Sequence, residues 1–187
     1  KCDPAGRLWA GTMSFDGSAN QGALYCLDVD RIITKKLDSV SISNGIVWTS
    51  DYSTMYFIDS PLNTVRAYDY DVNTATLENE RIVCRNQGEG VFDGMAIDVD
   101  GLLWIAIYGG SAVKCYDPTD GSLKRELKMP FMNVTSCAFG GDHLDQLYVT
   151  SACQRMSEAE LEKQPLAGSL ISVNPGSVGV PSFKYEG

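Results

Sequence analysis

The stretch Phe92-Asp93-Gly94-Met95-Ala96-Ile97-Asp98-Val99-Asp100-Gly101-Leu102-Leu103-Trp104-Ile105-Ala106 decides the fold. It reads as a strand, a tight turn and a second strand. Met95, Ile97 and Val99 alternate with smaller or polar residues, the period of a half-buried strand. Asp100-Gly101 supplies the residue types of a two-residue hairpin turn. Leu102 to Ala106 is a second apolar run with Trp104 at its centre.

The second half of this unit recurs at Asp3–Gly11, at Ser50–Ile58 and at Gly141–Val149. Its aromatics fall at Trp9, Tyr56, Trp104 and Tyr148, in steps of 47, 48 and 44 residues. A period of that length built from strands alone predicts a β-propeller. One four-stranded blade cannot bury both of its faces, so its neighbours must cover it. The expected architecture is therefore all-β, with about four blades in residues 1–187, read as a single partial propeller domain.

Composition agrees. Glycine occurs 18 times, which suits tight turns, and the seven prolines mark no linker. The formal net charge is −9, so no basic stripe exists to meet phosphates and nucleic acid is excluded as a partner. No apolar run reaches transmembrane length, so no membrane role is expected. Six widely spaced cysteines, with no CxxC, sit mostly inside predicted strands. They read as reduced, buried hydrophobes in a cytoplasmic protein. The sequon Asn133-Val134-Thr135 runs into a predicted inner strand and carries little weight.

In chain order, the first repeat predicts strands at 8–13, 23–28 and 32–37. The second predicts an inner strand around 41–48, then 55–59, 64–70 and 81–85. The third predicts 94–99, 103–108, 113–116 and 123–128. The fourth predicts 134–139, 147–151, 169–173 and, last, 182–185. One short helix is expected at Ser157–Lys163, where Ser157 and Glu160 form a capping box and Met156 and Leu161 a hydrophobic staple.

Each inner strand opens with a polar residue and then a small one: Asn44-Gly45, Asp93-Gly94 and Ser136-Cys137, spaced 49 and 43 residues apart. In a propeller such equivalent positions face one channel. Oxygen donors gathered there suit a hard divalent cation, Ca²⁺ or Mg²⁺; the alternative is that Asn44 and Asp93 only cap strand ends. Other chemistries fare worse. The one histidine, His143, lies in a predicted turn, which disfavours a Ser-His-Asp triad or a histidine zinc site. Gly88-Glu89-Gly90 lacks the Gly, Lys and helix of a phosphate loop.

Several stretches together resemble the regucalcin (senescence-marker protein) and gluconolactonase family of six-bladed propellers, to which insect luciferin-regenerating enzyme is related. They are Asp3-Pro4-Ala5-Gly6 with Ala10-Gly11-Thr12-Met13, Ile42-Ser43-Asn44-Gly45, Tyr56-Phe57-Ile58-Asp59-Ser60 and Tyr68-Asp69-Tyr70-Asp71. Trp48 after Asn44-Gly45, Asp93-Gly94-Met95 with Ile97-Asp98, Leu103-Trp104-Ile105-Ala106, Thr135-Ser136-Cys137-Ala138-Phe139-Gly140-Gly141 and Leu147-Tyr148-Val149-Thr150-Ser151-Ala152 complete the set.

The resemblance implies a metal-dependent hydrolase of small-molecule lactones. It assigns Asn44 and Asp93 as metal ligands, Asp93 also as the catalytic group, and Asp16 as a substrate-binding residue. Ca²⁺ is the first expectation for the metal, with Zn²⁺, Mn²⁺ or Mg²⁺ as alternatives. The family's third ligand, a Glu, and an Arg and Asn for the sugar would lie ahead of Lys1, so the resemblance places the start of this chain inside the family's sequence. On that reading residues 1–187 alone are expected to be poorly soluble or partly unfolded, and inactive. A second reading is a calcium-binding regulatory protein without turnover; a third is a hydrolase of the luciferin-regenerating type.

Overall fold

The computed structural model describes all residues, 1–187. The first sheet holds β1 (Leu8–Gly11), β2 (Gly22–Leu27) and β3 (Ile33–Val40). The second holds β4 (Ser43–Trp48), β5 (Thr54–Asp59), β6 (Thr64–Asp71) and β7 (Thr76–Arg85). The third holds β8 (Val91–Ile97), β9 (Leu103–Tyr108), β10 (Ala112–Tyr116) and β11 (Leu123–Lys128). The fourth holds β12 (Val134–Gly140), β13 (Gln146–Ser151) and β14 (Leu170–Val173). Sequence neighbours pair within each sheet, always antiparallel, so every sheet is a meander. These are the four expected blades of a partial propeller. The first lacks most of an inner strand: only Cys2, bridged to Leu8, stands in that position.

Three cores, one between each pair of neighbouring blades, hold the arc together. Alternation in β9 makes this possible. Leu103, Ile105 and Ile107 enter the core shared with the second blade, while Trp104 and Ala106 enter the core shared with the fourth. All five are fully buried. Between the first and second blades, Trp9, Trp48 and Tyr70 meet in edge and tilted contacts, with ring centroids 5.9 to 6.1 Å apart.

The turn after β8 differs from the two-residue hairpin predicted from Asp100-Gly101. The Asp98 N–H donates to the Leu102 carbonyl, and the Gly101 N–H donates to the Asp98 carbonyl. The loop is therefore Val99-Asp100-Gly101, a type I turn closed by Gly101 at φ +79°. Asp98 explains the extra residue. Its carboxylate accepts from the N–H groups of Asp100 and Leu102, from Trp104 Nε1 and from Ser177 Oγ. Asp3 repeats the device, accepting from Ala5, Arg7, Trp9 Nε1 and the Tyr70 hydroxyl. Burial pushes the Asp3 carboxyl up, but the hydrogen bonds from Tyr70, Trp9 and Arg7 outweigh it and hold it below the usual range.

The predicted last strand at 182–185 is not formed. After β14 the chain instead crosses the end of the channel where the inner strands finish. Arg125 Nη1 holds the carbonyls of Pro175 and Gly176, Val99 N–H donates to Val178, and Gly179 N–H donates to Leu144. Phe183 packs edge-on against Tyr52 at 5.7 Å. Tyr185 then donates to the Asp28 carbonyl, and the Glu186 N–H to the Gly6 carbonyl. A fourth strand would have satisfied one sheet edge, whereas this strap reaches all four blades.

The helix, α1 (Glu158–Lys163), has the predicted capping box at Ser157 and Glu160. All six cysteines are unpaired, His143 is exposed, and the Asn133 amide is buried against the Gln154 carbonyl. No helix is long and apolar enough to cross a membrane.

Candidate metal and substrate site

Inner strands run from the channel's upper mouth to the strapped lower end. Each begins with a β-bulge. In β4, Ser43 pairs with Asp59 and Ile46 with Phe57, so Asn44 and Gly45 together oppose one residue. In β8, Phe92 pairs with Ile107 and Met95 with Ile105, so Asp93 and Gly94 do the same. A bulge re-aims the side chain it carries and is common beside active sites. In β12 the extra residue is Thr135. Thr135, not Ser136, is therefore the counterpart of Asn44 and Asp93; the sequence comparison had shifted that blade by one.

The glycines let these strands close in. A Cβ at Gly45 would lie 3.0 Å from the Asp93 carbonyl oxygen and 2.5 Å from the Met95 Cβ. A Cβ at Gly94 would lie 2.7 Å from the Ser136 Cα. Adjacent inner strands thus touch backbone to backbone at the level of the bulges, and Asn44 and Asp93 stand at equivalent places on either side of one such contact.

The two side chains are differently supported. Asn44 Nδ2 donates to Ser60 Oγ at 2.7 Å, which leaves its Oδ1 without a donor from the chain. Ser60 follows β5 and is buried. It was quoted in the sequence only as part of a matching stretch; its role was invisible because the contact spans 16 residues. Asp93 has no side-chain partner. Burial pushes its carboxyl up to about 7, outweighing the opposing pull of the Gly94 N–H.

A cavity of about 500 Å³ opens beside the bulges, lined by Ser43, Asn44, Gly94, Met95, Ser136 and Lys1 among others; Asn44 lines it and Asp93 does not. Lys1 Nζ donates to the Met95 carbonyl at 3.3 Å. Asp16 is not part of this lining. It sits on the exposed loop after β1, where hydrogen bonds from Ser14 and Ser18 bring its carboxyl down to about 2. That loop leaves β1 at the same end as Asn44 and is tied to the start of β4: Asn20 N–H donates to Ser41 Oγ, and Met13 bridges to Ile42.

A hard cation fits this donor set. Asn44 offers a free carbonyl oxygen, and Asp93 a half-buried carboxylate that nothing neutralises. The chain does not complete a shell: no three His, Cys, Asp or Glu residues gather anywhere in it. Calcium takes about six to eight oxygens, so water, substrate or further protein groups must supply the remainder.

Residues 1–153 match the family model described as SMP-30/Gluconolactonase/LRE-like region. YvrE of Bacillus subtilis (strain 168), provisionally named a sugar lactone lactonase, is 42% identical over 188 residues, covering 100% of this chain and 64% of that protein. Regucalcin of Danio rerio is 42% identical over 191 residues, covering 100% of this chain and 65% of its own length. Among solved structures, a luciferin-regenerating enzyme superposes with a TM-score of 0.90 at 34% identity, over 100% of this chain and 64% of that one. The chain thus spans 64 to 65% of the length of the curated relatives it matches. On the extent of the family match, on these identities and on the shared architecture, the chain belongs to the SMP-30/gluconolactonase/LRE-like family.

Proposed function

We propose that the protein carrying this chain opens sugar lactones by metal-dependent hydrolysis, with Asn44 Oδ1 and the Asp93 carboxylate as two of the metal's ligands. The observation that carries the reading is Asp93, a desolvated carboxylate without a cationic partner, placed at a bulge beside the equivalent bulge of Asn44. A divalent cation, Ca²⁺ first, would supply Lewis acidity towards a carbonyl oxygen. The provisional lactonase name of the Bacillus relative and the family description support the substrate class.

The chain's own residues then have definite tasks. Ser60 fixes the Asn44 amide so that its oxygen, not its nitrogen, is free. Asp93 orients a water and takes its proton as the oxygen attacks the lactone carbonyl carbon. The acyl–oxygen bond breaks, the proton passes to the departing ring oxygen, and lactone plus water becomes hydroxy acid. With a cation bound, the Asp93 carboxyl would be pulled down from its metal-free position and kept ionised at neutral pH, the form in which it can orient a water and accept a proton. The 500 Å³ cavity lies within the range of small-ligand sites, about 300–1,000 Å³. Asp16 is proposed as a sugar contact at the rim, supported by the docking of its loop against Ser41 and Ile42.

The second reading, a calcium-binding protein without turnover, is favoured by a different neighbour. A solved structure described as a calcium-binding protein, regucalcin from Agrobacterium tumefaciens str. C58, superposes with a TM-score of 0.93 at 28% identity. Calcium titration paired with a lactone hydrolysis assay separates the two. Binding with turnover supports the hydrolase; binding without turnover of any sugar lactone supports the regulator.

A further inference from the structure

We propose that Lys114 and Asn86 are positioning residues for Asp93, an inference that rests on the metal-site reading above. Lys114 lies on β10, the third strand of its blade, and is 6% exposed. No carboxylate pairs with it. Its ammonium instead donates to Asn86 Oδ1 at 3.0 Å and to the Gln87 carbonyl at 3.1 Å. A buried ammonium served only by neutral acceptors is a costly choice for packing, where a methionine of similar length would be cheaper. What it gains is a grip on the segment that leads into β8.

That segment is held at each following step. Asn86 Nδ2 donates to the Gly90 carbonyl at 3.0 Å and reaches the Glu89 carbonyl at 3.5 Å. The Asn86 N–H donates to the Asn63 carbonyl at 3.1 Å. Asn63, left-handed at φ +51°, donates from Nδ2 to the same Gly90 carbonyl at 3.2 Å and accepts from the Phe92 N–H at 3.0 Å. Gly90, at φ +79°, is pressed against the next turn: a Cβ there would lie 2.6 Å from the Tyr108 carbonyl oxygen and 2.7 Å from the Gly110 nitrogen. The clamp therefore ends at Phe92, one residue before Asp93.

Asp93 has no side-chain partner of its own. Its carboxylate inherits its place from the backbone that precedes it and from the bulge it occupies. Asn44 is oriented directly by Ser60; Asp93 is oriented indirectly, by Lys114 through Asn86 and Gly90. Outer partners of this kind set metal affinity as well as activity.

The test uses the longest natural polypeptide that carries this chain, with Ca²⁺ titration, steady-state hydrolysis of glucono-δ-lactone and thermal melting. Lys114→Met removes the grip at its root. Asn86→Asp keeps the acceptor for Lys114 and removes the donors to Glu89 and Gly90, so it serves if Lys114→Met does not fold. Each folded variant is expected to weaken Ca²⁺ binding and lower kcat by about tenfold, with KM changed by less than about twofold. Asn86→Asp should do so with its melting temperature held, because it gains a buried ion pair with Lys114. Folded variants with unchanged Ca²⁺ affinity and kcat, whatever their melting temperature, overturn the proposal. Asp93→Asn, run alongside, keeps the two failures apart. If it still binds Ca²⁺ and turns over, the metal-site reading itself fails. If it loses both while Lys114→Met and Asn86→Asp lose neither, only the positioning role fails.

Discussion

Asp93 carries a cost that its sequence context does not reveal. Its carboxyl is raised from 3.8 to about 7 by burial. Between those values the folded state holds a proton that the unfolded state releases, so stability falls as pH rises from about 4 to about 7 and then levels off. Melting in chelator across pH 4 to pH 9 should show this fall, and Asp93→Asn should flatten it, so that the variant melts higher than the parent at pH 8. A parent curve that rises over that window would contradict the assignment. Gly94→Ala is expected to cost about 1–3 kcal/mol, because the added methyl meets the backbone of Ser136. Asp93 and Asn44 were legible as candidates because each precedes a glycine at the head of a repeat. Ser60 was not, because nothing local marks a hydroxyl that serves a side chain in the preceding strand. Asp3 and Asp98 carry a signal that was passed over: each stands six residues before a buried tryptophan, and each accepts that indole's N–H.

Strands in the middle of each blade were readable from alternation, since β9 feeds two cores with successive residues. Bulges were not readable, because one extra residue leaves the apolar pattern on both sides intact. That is why Ser136 was matched to Asp93 where the ladder places Thr135. The helix was legible in its caps: Ser157 and Glu160 bond reciprocally as their spacing requires. Ser157→Ala should cost roughly 1 kcal/mol, confined to α1, and be seen as faster amide exchange over 158–163 with the sheets unchanged. The tail misled because Phe183 and Tyr185 alternate as a strand would, yet their partners are Tyr52 and Asp28 in two different blades. Ending the chain after Val173 removes the strap. The expected result is a melting temperature lower by roughly 5 °C or more, with dye binding at the uncovered channel end; an unchanged melt would show that the strap bears no load.

Across the whole molecule, stability lies between blades. Each of the three cores draws side chains from two sheets, so no blade has an interior of its own. The two outermost faces are the exception. On the fourth blade Ser136, Ala138, Tyr148, Thr150 and Leu170 stay exposed along one side. Residues 1–187 expressed alone are accordingly expected to associate or to melt broadly, and a sharp monomeric transition would contradict that. The period of the aromatics was enough to reveal the arc; the site was only half legible, because its geometry depends on bulges and contacts between strands far apart in sequence. On the reading proposed above, Asp93 and Asn44 hold a divalent cation used to open a lactone. The most direct test of that reading is glucono-δ-lactone hydrolysis by the longest natural polypeptide carrying this chain, after chelation and again after Ca²⁺ is restored. Activity should vanish on chelation and return with Ca²⁺ in the parent protein but not in Asp93→Asn. A rate indifferent to chelator, or one that Ca²⁺ restores equally in Asp93→Asn, would contradict it.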